Sequence, residues 1–111
     1  MGDEIDGTWT FLTNHAHVLI CLRMDASLRV RDLADRVGIT ERAAHRILTD
    51  LIRSGYLTKE RDGRRNHYRL HFDRPMRHPL ERSVPVRDLI VAVSSGKARV
   101  LTFDAGADTD T

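Results

Sequence analysis

A mostly helical α+β fold is predicted by three observations. Apolar residues recur at helical spacing in two adjacent segments, Leu33, Ala34 and Val37, then Ala44, Ile47, Leu48 and Leu51, joined only by Gly38-Ile39-Thr40. Two short strand candidates, 57–61 and 66–71, then flank Asp62-Gly63-Arg64-Arg65, with Asp62-Gly63 as a two-residue hairpin signal. A last amphipathic segment sets Val86, Leu89, Ile90 and Val93 at i, i+3, i+4 and i+7. The 111 residues suffice for one hydrophobic core and not for two.

Taken in order, residues 1–8 read as a flexible N-terminus. Helix 1 is expected over 13–24, after a Thr/Asn cap and without Gly or Pro. Val18, Leu19, Ile20, Cys21 and Leu22 are consecutive, so apolar groups point nearly all round it and burial on more than one side is expected. A turn leads to a short extended piece, 28–30, and to helix 2, which Gly38 stops in the left-handed conformation. Thr40 is a good N-cap for helix 3, expected over 41–54 and closed by Gly55. Small residues at Ala34 and Ala44 allow helices 2 and 3 a close, steep crossing. Pro75 and Pro79 interrupt regular structure, Pro85 suits the first turn of helix 4, and the end, 96–111, is small and acidic and expected to fray.

Charge is unevenly spread. The net charge of +2 hides 14 Lys and Arg against 8 Asp and Glu between residues 27 and 82, a local +6. A basic middle with acidic ends suits a polyanionic partner, although a solvated surface gives the same pattern. Sixteen of the 18 cations are arginine, the side chain suited to bidentate contact with phosphate and guanine, a bias that a GC-rich genome also produces. No run approaches the roughly 18 apolar residues of a membrane span, and the acidic start is unlike a signal peptide, so a cytoplasmic, nucleoid-associated protein without membrane contact is expected. One cysteine, Cys21, excludes an internal disulfide.

Once the apolar residues of helix 3 are assigned to the core, Glu41, Arg42, Ala43, His45, Arg46 and Thr49 remain on its outer side. They form a polar set of mixed donors and acceptors on a rod that fits a DNA major groove. The run VRDLADRVGITERAAHRILTDLIRSGYL resembles a helix-turn-helix, with Ala34, Gly38, Ala44 and Ile47 at the spacings of that motif. Continued by TKERDGRRNHYRL, it resembles a MarR-like winged helix-turn-helix, over about residues 9–70.

The resemblance implies a three-helix core, a two-stranded β-hairpin wing and flanking dimerisation helices. It divides the chain into a DNA-binding domain at 9–82, a C-terminal helix at 83–95 for dimerisation or core closure, and the two tails. Helix 3 would be the recognition helix of a transcriptional regulator, with double-stranded DNA as partner. Thr40, Glu41, Arg42, Ala43, His45, Arg46 and Thr49 would meet DNA there. Glu41 favours the helix N-terminus electrostatically more than it favours a base. Lys59, Arg61, Arg64 and Arg65 would form a basic wing on backbone or minor groove.

Because one recognition helix reads few base pairs, a homodimer is expected, built from Val18, Leu19 and Leu22 of helix 1 and Val86, Leu89, Ile90 and Val93 of helix 4. The alternative is that helix 4 only closes the monomer's core. A winged helix can also serve protein–protein interaction without DNA, which calls for an apolar or acidic recognition face.

MarR-like regulators often bind a small effector; the shortness of this chain leaves little room for such a pocket. ArsR-like metal sensors share the fold, but their thiolate pair on helix 3 has no counterpart here. The six histidines, His15, His17, His45, His67, His71 and His78, include one strand pair, His67 and His71, without a third ligand, so neither metal nor cofactor is expected. Cys21 inside VLICL reads as a core residue. No His-Glu-x-x-His run or Gly-x-Ser-x-Gly elbow is present, and the SSGKAR segment lacks the first glycine and the Ser/Thr of a phosphate loop. Catalysis is not expected.

Overall fold

The computed structural model describes residues 9–95; the expected flexible ends, 1–8 and 96–111, and the Gly-Lys of the SSGKAR segment lie outside the described residues. The elements run α1 (Asn14–Met24), α2 (Val30–Val37), α3 (Glu41–Arg53), β1 (Leu57–Asp62), β2 (Arg65–Leu70) and α4 (Val86–Ser94).

Local chemistry sets the helix ends. Thr13 accepts from the Ala16 N–H at the start of α1 (3.3 Å), and Thr40 accepts from the Ala43 N–H at the start of α3 (3.0 Å). Gly38 ends α2 at φ 86°, its N–H and that of Ile39 both reaching the Ala34 carbonyl. Such a φ strains any residue with a Cβ, so the short link between α2 and α3 depends on this glycine. Pro85 stands one place earlier than expected, as the N-cap of α4 and outside its first turn.

α1 is the central helix. α2, α3, α4 and β2 all pack on it, which accounts for its lack of a polar face. Val18 and Leu22 are fully buried, and with Leu33, Leu48, Leu51, Leu57, Tyr68 and Ile90 they belong to one continuous core. Ala34 and Ala44 are both buried where α2 meets α3.

β1 and β2 pair antiparallel in the register Leu57↔Leu70, Lys59↔Tyr68 and Asp62↔Arg65. The two-residue turn is therefore Gly63-Arg64, one place later than the expected Asp62-Gly63. Gly63 supplies the positive φ of 65° at the first turn position, where asparagine or glycine chemistry is favoured and aspartate is not needed. The expected extended piece at 28–30 is also displaced. Val30 already begins α2, and it is Ala26 that meets β2, accepting from the Tyr68 N–H at 3.0 Å.

Between β2 and α4 the chain crosses as an irregular strap. Pro75 bridges Pro85, Met76 donates to the Val84 carbonyl, and the Tyr56 hydroxyl donates to the Pro75 carbonyl at 2.5 Å. No helix among the described residues is long and apolar enough to cross a membrane.

Candidate nucleic-acid interface

The core face of α3 consists of Ala44, Ile47, Leu48 and Leu51. With these turned inward, Thr40, Glu41, Arg42, His45, Arg46 and Thr49 are exposed and Ala43 is half-buried. Thr40 has a prior use as the N-cap, and Glu41 occupies the first turn, where a carboxylate favours the positive end of the helix dipole. Arg42 and Arg46, one turn apart, share a side of the helix and enter no ion pair among the described residues.

On the hairpin, Lys59, Arg61, Arg64 and Arg65 are all exposed, but the pleat divides them. Lys59 is registered opposite Tyr68 and Arg61 opposite Asn66, on the ribbon face that turns toward the core. Arg65 lies on the other face with His67 and Arg69, and Arg64 sits in the turn. Arg69 is neutralised by Glu60 at 2.9 Å. Arg65 donates from Nε to the Ser27 carbonyl at 3.3 Å, and His67 Nδ1 lies 3.2 Å from Ser27 Oγ. The first half of β2, next to the hairpin turn, is thus fastened to the turn before α2.

Sequence reasoning missed the groove between α3 and β1, an open space of about 550 Å³ lined by Thr49, Ile52, Arg53, Gly55, Leu57, Thr58, Lys59 and His71. It joins the outer face of α3 to the hairpin. Arg53 and Thr58 are exposed there, and Thr58 Oγ1 lies 2.6 Å from His71 Nε2. Arg53 had a signal, since it follows Arg42 and Arg46 at helical spacing; Thr58 and His71 had none.

The residues expected at a dimer contact divide by burial within this chain. Val18, Leu19, Leu22, Val86 and Ile90 lie within this chain's own core, Leu89 is half-buried, and Val93 keeps 42% of its surface exposed. α1 needs no second copy to cover it, because α4 already does.

A cavity of about 330 Å³, larger than the chain length suggested, lies between α1, the end of α3 and α4. Leu19, Leu51, Val86 and Ile90 form its apolar floor, and His15, Asp50, His78 and Glu81 its rim. His15 Nε2 is 2.9 Å from Asp50 Oδ2, both side chains nearly half exposed. Among the described residues no cluster of three or more metal-ligating side chains occurs. Cys21 is half-buried, and its burial pushes the thiol above its ordinary pKa, with Arg36 pulling it partly back.

Residues 12–61, from the approach to α1 into β1, match the family model of the IclR helix-turn-helix domain. Among solved structures, a MarR family transcriptional regulator from Silicibacter pomeroyi is 25% identical, with a TM-score of 0.54 over 87% of this chain. This chain spans 63% of that regulator's length. MepR, a transcription regulator of the Staphylococcus aureus multidrug efflux pump MepA, aligns at 15% identity and a TM-score of 0.48, over 86% of this chain and 67% of its own. AdcR, a zinc-dependent MarR family regulator, aligns at 20% and 0.49, over 98% and 69%. No curated protein sequence matches the chain. The order of helices, the Gly-tipped hairpin, the helix-turn-helix match and the first of these structures agree: the chain has a winged helix-turn-helix fold similar to that of the MarR family regulator, with an IclR-type helix-turn-helix over residues 12–61.

Proposed function

We propose that the chain is a DNA-binding transcriptional regulator that acts as a homodimer. α3 enters the major groove, where Arg42 and Arg46 address guanine edges or phosphates and His45 and Thr49 supply shorter contacts. The hairpin from Lys59 to Arg69 serves as the wing, with Arg64 and Arg65 on backbone or minor groove. Arg53, Thr58 and Lys59 contact the phosphate strand that passes between helix and wing. The observation that carries this reading is the outer side of α3, exposed, polar and holding two arginines without ion-pair partners among the described residues. A protein-docking face would be apolar or acidic.

Residues 9–82 serve as the DNA-binding domain. α4 closes its core with Val86 and Ile90 and offers its outer side, around Val93, to a second copy. Two copies give two recognition helices across a two-fold axis, hence a palindromic site.

The test is the anisotropy of a labelled random duplex titrated with protein at several salt concentrations, for wild type and for Arg64→Ala/Arg65→Ala. Binding that falls with salt, with a slope shallower by about 2 in the double variant, supports helix and wing on DNA. No binding to random or selected duplexes would transfer the surface to the protein-interaction reading.

A further inference from the structure

The angle between α3 and the hairpin is set within three residues. α3 is capped by Ser54, Gly55 takes φ 86°, and β1 begins at Leu57. From inside, the corner is held by buried Tyr56, whose N–H donates to the Leu51 carbonyl and whose carbonyl accepts from the His71 N–H; Arg74, from the strap, spans its outside.

The Arg74 guanidinium lies against Gly55 so closely that a Cβ at Gly55 would stand 3.0 Å from Arg74 Cζ. Its Nη2 donates to the Ser54 carbonyl at 3.1 Å. This carbonyl is at the α3 C-terminus, where the backbone dipoles favour a cation. Glycine at 55 is set by the left-handed turn, and the guanidinium packs on the face that its missing Cβ leaves open.

Arg74 is itself held from the other side. Its carbonyl accepts from the Val86 N–H at 2.8 Å, at the first residue of α4, and the Phe72 carbonyl accepts from the Arg87 N–H at 3.1 Å. Asp73, its neighbour, pairs with the Arg87 guanidinium. The side chain grips the helix–wing corner while the backbone is fixed to α4.

We propose that Arg74 is a positioning residue, which holds the recognition helix and the wing at the angle at which both reach DNA and ties that angle to α4. The inference rests on the DNA-binding reading above. A helix and a wing that must engage together act as a bivalent ligand, whose second contact is lost when the geometry is wrong. Arg74 then matters through Arg64 and Arg65, to which the structure gives it no contact.

A double-mutant cycle tests this. DNA affinity is measured at several salt concentrations for wild type, Arg74→Met, Arg64→Ala/Arg65→Ala and the triple variant, with each melt followed by circular dichroism. Arg74→Met is expected to lose about threefold or more in affinity. The wing substitutions are expected to cost less in the Met background than in wild type. Equal wing costs in the two backgrounds, with wild type bound, would overturn the positioning role and leave the DNA-binding reading intact. A slope that falls by about 1 on Arg74→Met, with unchanged wing cost, would instead make Arg74 a direct phosphate contact and overturn the proposal in the same way. Absence of DNA binding by wild type would overturn both. Should the Met variant lose its native melt, Arg74→Lys, which keeps stem and charge without the flat fork, carries the same cycle.

Discussion

The backbone N–H of Tyr68 donates to the carbonyl of Ala26 across 3.0 Å, so the hairpin is tied to the turn before α2 as well as paired within itself. The Tyr68 ring is 3% exposed and belongs to the core, which gives the wing an internal anchor. A free two-stranded ribbon is marginal in water; this one is anchored along β2 by backbone, by ring and by the Arg65–Ser27 contact.

Tyr68 also makes a prediction about alkaline stability. Burial raises its phenol pKa above the ordinary value, against a smaller opposing effect from Asn66. The folded state therefore keeps the proton longer than the unfolded state. Stability from this group is fully present below about pH 10, where the unfolded phenol begins to ionise, and is lost as pH rises through the folded pKa. Urea midpoints at pH 8, 10 and 11 should fall at the high end for wild type. In Tyr68→Phe that fall should shrink, and an undiminished one would assign it to other groups.

Arg46 is the residue on which sequence reading is most exposed to test. Its side chain is free of ion pairs among the described residues and stands mid-helix, where a bidentate contact to guanine O6/N7 is geometrically open. Arg46→Ala should cost about 1–3 kcal/mol on a selected operator and relax one base position, with little change on random duplex. Loss of the same factor on every sequence would make it a phosphate contact instead.

Thr40 allows capping and contact to be separated. Its hydroxyl accepts from the Ala43 N–H at 3.0 Å, so Thr40→Ala should lower stability by about 1 kcal/mol, read as a shift in denaturant midpoint. Thr40→Ser should restore most of it. A Ser variant that is stable but weak on DNA would show that the Thr40 methyl, not the cap, meets the duplex.

The helix boundaries were legible because their causes are local: Thr13, Gly38, Thr40 and Gly55 each end or begin a helix where their own chemistry says. The outer face of α3 was legible for the same reason, as what periodicity leaves once Ala44, Ile47, Leu48 and Leu51 turn inward. Three things were not. Periodicity says that Val18, Leu22 and Ile90 are covered, but not by which chain, and the answer is their own. The division of Lys59 and Arg61 from Arg65 depends on strand register, which only the Gly63-Arg64 turn sets. Arg74 sits in an irregular strap with no period at all, so its grip on Gly55 is visible only in three dimensions.

Cys21 should behave as a shielded thiol. It sits half-buried on α1, and desolvation outweighs the pull of Arg36, so the reactive thiolate is scarce near neutral pH. Ellman's reagent at pH 7.5 should react more slowly with the folded protein than with the chain in urea. Equal rates would mean that α1 is open at that edge.

The dimer prediction follows from which apolar groups remain outside. Ile90 is fully buried, so Ile90→Glu places a charge in the core and should abolish the native melt whatever the oligomeric state. Val93, one turn further and 42% exposed, is open to a second copy, and Leu89 beside it is half-buried. Val93→Glu should leave the melt of the monomer nearly unchanged, since exposed substitutions usually fall within about 0.5 kcal/mol. If α4 is the contact, sedimentation at micromolar concentration should show a dimer for wild type and a monomer for Val93→Glu. The same variant should then lose affinity for a palindromic site more than for a half-site, because pairing, not reading, has been removed. A wild-type monomer would confine α4 to closing the core, and a Val93→Glu dimer would move the contact to another face.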